Sequence, residues 1–248
     1  MILSLCRDLA NFIYPPRCVG CRGTAPNGDA VFCEQCQSAL SLLAISPTCE
    51  RCAAPLPRGS ACPRCGGAGV HPLGRIVALG PFREPLRAII HSMKYRYRWP
   101  VAEILADQML RQDRIRQLLD ETDVLVPIPL HWSRQIWRGY NQADGLARRL
   151  ARNRRLLGVA YPIVRLKNTA AQTTVCSIAD RADNLRFAFG LSNPRSIRGK
   201  RIALVDDVST TASTLKAAAR AMGEASPAAI NAVVIAVADP RRSDFQAI

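Results

Sequence analysis

The sequence predicts an α/β protein in which a mostly parallel sheet flanked by helices follows a small metal-built module. Three observations predict it. From Arg75 onward, short apolar runs alternate with segments of helical period. Before that point stand four Cys-x-x-Cys pairs. Near the carboxyl end, the apolar run "RIALV" stops at two adjacent acids and a turn rich in Ser and Thr.

The first 16 residues, "MILSLCRDLANFIYPP", are apolar but interrupted by Arg7 and Asp8. They lack a basic leader and a small-residue cleavage site, so they read as an amphipathic lead-in helix ended by Pro15 and Pro16. No apolar run approaches the roughly 20 residues of a membrane span. The expected location is cytoplasmic.

Residues 17–68 hold "CVGC", "CEQC", "CERC" and "CPRC". Two Cys-x-x-Cys turns place four thiolates at tetrahedral distance, so Cys18, Cys21, Cys33, Cys36, Cys49, Cys52, Cys62 and Cys65 make one or two structural Zn2+ sites. Sequential and cross-braced pairings both satisfy the spacing. The knuckle-like pairs favour zinc over iron–sulfur, and a disulfide framework needs an oxidising compartment that nothing in the sequence signals. The residues between the pairs are rich in Gly, Pro, Ala and Arg, so metal has to supply the module's stability. Cys6 and Cys176 lie outside the pattern and read as small apolar residues.

The Gly/Pro stretch 66–74 marks the boundary to a second domain at 75–242. Its expected strands are "RIVALGPF", "DVLVPIPL", "RIALV" and "AINAVVIAVA". "REPLRAIIHSMKY" is a helix with its stripe at Leu86, Ile89, Ile90 and Met93; "VAEILADQMLRQDRIRQLL" is expected as one helix, and "NQADGLARRLARN" and "TLKAAARAMGEA" as two more. The near-continuous apolar strands suit a sheet buried on both faces, with ligands at the carboxyl ends of its strands.

At one such end stand Asp206 and Asp207, where the strand is expected to stop. Five of the next seven residues are Ser or Thr. A strand–turn–helix aims N–H groups and the helix dipole at one point, which suits a phosphate. Carboxylates beside that point would repel it unless they hold sugar hydroxyls or a Mg2+-bound ligand. The blander reading is a helix cap, which needs one such residue rather than this many.

"VDDVSTTAST" resembles the phosphoribosyl pyrophosphate (PRPP) motif of type I phosphoribosyltransferases. Together with "VPIPLHWSRQIWRGYNQADGLAR", "RLKNTAAQTTVCSIADRADNLRFAF" and the cysteine ribbons, the chain resembles the ComF family over nearly its whole length. The resemblance implies a type I phosphoribosyltransferase-like fold behind a double zinc ribbon. It implies that Asp206 and Asp207 hold the ribose hydroxyls of PRPP, that Val208, Ser209, Thr210, Thr211, Ala212, Ser213 and Thr214 wrap its 5-phosphate, and that Mg2+ accompanies it. His131, Arg134, Arg138, Asn141 and Gln142 match the pyrophosphate-side loop. Arg165, Thr169, Gln172, Arg181 and Asn184 match a mobile lid. Arg134 and Arg138 also suit a diphosphate on chemistry alone, because guanidinium pairs bidentately with phosphate. Two positions depart from the motif. Ala212 replaces a Gly that permits unusual dihedrals, and Thr210 stands where purine-salvage members carry an acid. The acceptor is therefore undefined.

The net charge is +15. Two four-cysteine zinc sites would lower it to about +11, so polyanionic partners remain favoured. Nine basic residues and one acid lie between Leu130 and Lys167, Arg148 and Arg149 among them. "HSMKYRYRW" interleaves Lys94, Arg96 and Arg98 with Tyr95, Tyr97 and Trp99, a pattern that suits single-stranded DNA. The family resemblance adds DNA uptake in natural competence and a helicase partner. Three function classes follow: a phosphoribosyltransferase, a DNA-binding adaptor without catalysis, and a PRPP-sensing regulator.

Overall fold

The computed structural model describes residues 17–25, 31–56, 61–95, 100–152, 154, 157–166 and 188–238. The expected lead-in helix at 1–16, Cys6 and Cys176 lie outside them. Five parallel strands form the central sheet: β1 (Ile76–Pro81), β2 (Val124–Pro127), β3 (Gly158–Val159), β6 (Arg201–Ser209) and β7 (Ala229–Val237), in the order β1-β7-β6-β2-β3. An antiparallel pair, β4 (Ile163–Arg165) and β5 (Phe189–Leu191), stands apart from it.

Alternation along each strand divides the core in two. Val77, Leu79, Leu125, Ala203, Val205, Val233 and Ile235 belong to one buried cluster. Their neighbours Ile76, Ala78, Val124, Val126, Ile202, Leu204, Ala232 and Val234 belong to the other. This is the period-2 alternation of a strand buried on both sides.

The two faces are covered differently. On the first lie α2 (Leu86–Tyr95), α3 (Pro100–Leu110), α4 (Asp113–Asp120) and α6 (Gln142–Ala151). The second carries α7 (Ser213–Gly223) and the β4–β5 pair. The cysteine ribbons complete both layers. Cys18, Val19, Phe32, Cys36 and Leu40 join the first cluster. Cys49, Cys52, Ala53, Ala54, Cys62, Val70 and Leu73 join the second. The module is therefore built into the cores of the α/β domain.

Several elements differ from expectation. The segment joining the ribbons forms α1 (Glu34–Ile45), with Leu40 buried. Its four large apolar residues, Leu40, Leu42, Leu43 and Ile45, outweigh the Gly/Pro-rich average of the region. The single helix expected over 101–119 breaks into α3 and α4. Gln112 takes an extended backbone there, and its buried side chain donates from Nε2 to the Leu79 carbonyl (2.9 Å). β6 runs through the acid pair to Ser209, because its partner β7 continues alongside, with Ser209 opposite Val237. The turn is thus 210–212, and Ser213 and Thr214 already belong to α7. Helix α5 (Trp132–Arg138) was not expected. It is capped by His131, whose Nδ1 accepts the Ser133 N–H, and it ends at Gly139 with φ 72°.

Arg114, half-buried on α4, ties the ribbons to the sheet. It donates to Gln112 Oε1 (2.8 Å), Thr48 Oγ1 (2.6 Å), the Ala44 carbonyl (3.2 Å) and the Leu79 carbonyl (3.2 Å). Ala44 lies in the last turn of α1, which contains no basic residue of its own. One guanidinium thus satisfies helix-end, inter-ribbon and strand acceptors together. Arg114→Met keeps the apolar stem and removes the donors. It is expected to lower the unfolding free energy by about 2–4 kcal/mol, read by chemical denaturation of metal-loaded protein. A change under about 0.5 kcal/mol, the scale of an ordinary surface substitution, would show that the clamp contributes nothing.

Candidate functional site

Sheet topology locates the site. The connection after β2 leads to β3 on one side, whereas that after β6 leads to β7 on the other. The carboxyl ends of β2 and β6 therefore flank a crevice, the place where ligands bind in open α/β sheets. Asp206 and Asp207 stand on one lip and α5 begins on the other.

Two carboxylates at the end of a buried strand need positive charge. Lys94, in the last turn of α2, pairs its Nζ with Asp207 Oδ2 at 3.2 Å, and both side chains are only 15% exposed. Asp206 Oδ1 accepts the Asp207 N–H at 2.8 Å. Burial is the largest influence on Asp206, followed by the charge of Asp207. The Asp207 N–H, Lys94 and Arg165 act in the opposite sense, and the carboxyl is pushed up to about 7. Asp206 is half-buried rather than sealed from solvent, so the low-dielectric surroundings of its carboxyl set this shift. Arg165 on β4 responds in reverse. Burial first, then the charge of Arg134, lowers its proton affinity, and Asp206 raises it. Lys94 and Arg165 thus act on the acid pair from two separate elements, and Arg134 of α5 acts in turn on Arg165.

The hydroxyl-rich loop follows. Thr211 Oγ1 and Ser213 Oγ are 2.6 Å apart and share a hydrogen bond. Ser209 is buried, and its Oγ has no hydrogen-bond partner among the described residues. Ala212 is left-handed, with φ 60° and ψ 13°, the region a Gly would enter without strain. Its backbone carbonyl already accepts the Lys216 N–H at 2.8 Å. Its methyl belongs to the second apolar cluster with Leu215 and Ala218. Burying one methyl gives about 0.8 kcal/mol, against the roughly 1–2 kcal/mol that left-handed geometry costs a non-Gly residue. Packing below the loop thus offsets part of the cost of the substitution.

On the β2 side, Asn141 caps α6 by accepting the Ala143 N–H at 3.1 Å, and it donates to the Ile128 carbonyl at 3.0 Å. Gln142 is 2% exposed, and neither of its amide atoms has a partner among the described residues. An unpartnered buried polar group costs about 1–3 kcal/mol. Ser209 and Gln142 thus hold polar capacity in reserve on either side of the crevice. Arg138 ends α5, and its side chain is outside what is described. Thr169, Gln172, Arg181 and Asn184 lie outside the described residues. The ends of their segment are joined beside α7 by the Leu166 N–H to the Ala188 carbonyl (2.8 Å).

The cysteines form two sequential groups, Cys18, Cys21, Cys33, Cys36 and Cys49, Cys52, Cys62, Cys65. All Sγ atoms within a group lie within 4.8 Å of one another. Sequential pairing is therefore the one adopted. Burial raises the Cys18 thiol, but the backbone N–H groups of Cys33, Cys21 and Gly20 outweigh it and bring it down to about 6. A Cβ at Gly20 would come within 2.8 Å of Cys36 Sγ, so the first knuckle needs glycine there. Four convergent thiols, one already acidic, fit a structural Zn2+ in each group.

The basic surface is more neutralised than its local sequence suggests. Arg149 pairs bidentately with Asp107 of α3 (2.8 and 2.8 Å), Arg148 pairs with Asp144 (3.0 Å), and Arg154 with Asp120. Asp107 and Asp120 come from elements outside the basic stretch. Tyr95 ends α2, while Arg96 and Arg98 lie outside the described residues. Among the described residues the most exposed aromatics are Trp132 (67%) and Trp137 (62%), both on α5. Sequence reasoning also missed the pairing of Lys94 with Asp207. A helical count places Lys94 one turn after buried Ile90 and so on the covered side of α2, but it names no partner.

Comparison with known proteins agrees with this architecture. Residues 9–66 match the double zinc ribbon domain family, and residues 107–245 match the phosphoribosyl transferase domain family. The chain is similar to Competence protein F of Haemophilus influenzae, 31% identical over 205 residues, covering 80% of this chain and 87% of that protein. It is similar to the DNA utilization protein YhgH of Salmonella typhimurium, 34% identical over 197 residues, covering 71% and 83%. Similarity to Competence protein ComFC of Bacillus subtilis is 38% over 112 residues, covering 44% and 42%. Two domain families in this order, with a relative matched over most of both chains, establish that the chain belongs to the ComF family.

Proposed function

We propose that the protein binds PRPP in the crevice between β2 and β6, in the service of DNA uptake or use. The observation that carries this reading is the acid pair at the end of β6, where Lys94 pairs with Asp207, Arg165 acts on Asp206, and Arg134 acts on Arg165. A ligand with a diol and two phosphate ends satisfies both signs of charge. Asp206 and Asp207 accept from the ribose hydroxyls. Residues 209–214 present their amides and hydroxyls, and the amino end of α7, to the 5-phosphate. Arg134 and Arg165 face the diphosphate, and Asn141 holds the segment after α5 against Ile128. Gln142 and Ser209 contribute polar atoms without other partners. Mg2+ arriving with the diphosphate would supply further charge neutralisation. The names of the relatives support the link to competence and DNA utilization.

If the bound molecule is turned over, the bond from ribose C1 to the diphosphate oxygen breaks and the oxygen leaves with the electron pair. A nucleophilic atom of the acceptor then bonds to C1. The chain's part is to position the sugar, stabilise the leaving charge and exclude water. Diphosphate release in the presence of DNA or nucleobases distinguishes a transferase from a sensor.

A second reading, single-stranded DNA binding, is favoured by Trp132 and Trp137 and by a groove of ≈ 620 Å³ lined in part by Arg148, Arg149, Arg152 and Tyr161. Stacking on exposed rings tolerates any base.

Calorimetry with PRPP and Mg2+ tests the first reading. Wild type is expected to bind, and Asp206→Asn/Asp207→Asn to bind at least roughly tenfold more weakly, as loss of charged hydrogen bonds implies. Equal affinity would remove the site assignment. Acidity gives a separate check. Folding raises the pKa of Asp206, so its contribution to stability is full below about pH 4, near the unfolded value, and is lost as pH rises through about 7. A ribose that needs the carboxylate should therefore bind more tightly at pH 8 than at pH 6. Wild type should gain roughly tenfold more over that interval than Asp206→Asn, in which only the ligand's own phosphates titrate. A wild-type-to-variant ratio constant with pH would contradict this. For DNA, the affinity for a single-stranded oligonucleotide should fall linearly with salt on logarithmic axes. Trp132→Ala/Trp137→Ala should weaken it by roughly tenfold. A flat salt dependence would count against the groove.

A further inference from the structure

One contact joins the second ribbon to the hydroxyl-rich loop. The half-buried guanidinium of Arg64 donates from Nη2 to the backbone carbonyl of Thr210. Arg64 lies within the last knuckle, "CPRC", between Cys62 and Cys65, two members of the second four-cysteine group. The partners are 146 residues apart in sequence. A second observation brings the same two regions together. Cys49, Cys52 and Cys62 share a buried apolar cluster with Ala212, Leu215 and Ala218, the end of the turn and the first turns of α7. The ribbon is also joined to the sheet through the Ile76 N–H, which donates to the Arg51 carbonyl at 3.0 Å.

We propose that Arg64 is a positioning residue for the loop that receives the 5-phosphate, so that the second cysteine centre shapes the ligand site as well as the core. The inference rests on the PRPP reading given above. Its physical basis is the planar trans peptide. The carbonyl of Thr210 and the N–H of Thr211 belong to one rigid unit and point in opposite directions. A donor that holds the carbonyl toward the ribbon turns the N–H away from it, to the other side of the turn. A loop that offers several N–H groups to one anion must send its carbonyls outward, and each outward carbonyl needs its own donor. Arg64 supplies that donor for the 210–211 peptide. Ala212, immediately downstream, is held left-handed, so the two constraints act on adjacent peptides. The knuckle fixes Arg64 from both sides, through Cys62 and Cys65, and the Gly66 N–H closes the same turn on the Cys62 carbonyl at 2.9 Å. The guanidinium also brings positive charge near a site for phosphate, where a tetrathiolate centre alone would bring negative charge.

The test uses metal-loaded, full-length protein and two readouts. Arg64→Ala should weaken PRPP–Mg2+ binding by roughly tenfold or more in calorimetry, the effect of losing a charged hydrogen bond. Arg64→Lys, which keeps the charge and a donor, should lose less. Arg51→Ala, in the same ribbon but on an exposed side chain, should match wild type. Without ligand, Arg64→Ala should speed amide exchange at 209–214 while leaving α6 (Gln142–Ala151) unchanged. Unaltered exchange at 209–214 overturns the proposal, as does exchange raised equally in α6. Altered exchange with wild-type PRPP affinity overturns it too. Wild-type protein that takes up no PRPP defeats the ligand reading instead, and the exchange comparison still decides whether Arg64 orders the loop.

Discussion

A parallel sheet must be covered on both faces, and most of this molecule follows from how that cover is assembled. Each strand directs alternate residues into two separate apolar layers. Four helices supply much of the first layer, but the second has α7 and a short antiparallel pair. The second ribbon occupies the remaining part of that face, with Cys49, Cys52 and Cys62 buried among strand residues. The first ribbon does the same opposite, through Phe32, Cys36 and Leu40. Metal-organised turns thus perform the work that helices perform in larger α/β domains. A ribbon that covers the sheet this way cannot be a detachable appendage, since its removal would expose strand residues that are fully buried.

The site inherits its chemistry from the same sheet. β2 and β6 are neighbours whose connections leave in opposite directions, so their carboxyl ends open a crevice. Asp206 and Asp207 are consecutive on a strand that keeps its ladder as far as Ser209, so their charges stay in each other's field although their side chains leave on opposite sides. Burial first, and then the charge of Asp207, raises the affinity of Asp206 for a proton. Lys94 and Arg165 offset the repulsion from α2 and β4. The result is a crevice with closely balanced charge of both signs. Such a surface suits a phosphorylated sugar better than a simple anion or a simple cation.

The basic character of the chain is tempered by the fold. Arg148, Arg149 and Arg154 each engage an acid, and two of those acids come from helices distant in sequence. Exposed aromatic surface gathers on α5, next to the crevice. A nucleic acid approaching this face would therefore meet stacking surfaces beside a partly neutralised groove, rather than an unbroken cationic track.

The sequence by itself determined β1, β2, β6 and β7, the cysteine pairs and the acid pair, because each is a local pattern, whereas the two- and three-residue strands β3, β4 and β5 are too short to leave one. Period-2 burial, Cys-x-x-Cys spacing and an apolar run ending in "DD" need no knowledge of distant residues. Helix α1 was hidden by the composition of its surroundings, and the break at Gln112 by a stripe that continues across it. Only the tertiary structure decided which cysteines group together, that Lys94 meets Asp207, and that Arg64 reaches the loop around Thr210. These are pairings between elements, set by sheet order and by the packing of side chains across it. The methyl of Ala212 shows the same division. The sequence marks it as a departure from glycine, but only packing reveals that the left-handed turn survives because the methyl is buried with Leu215 and Ala218. Local patterns name the chemical groups available. Their partners depend on which surfaces the folded chain brings within a few ångströms, and a linear sequence does not encode that distance in any one segment.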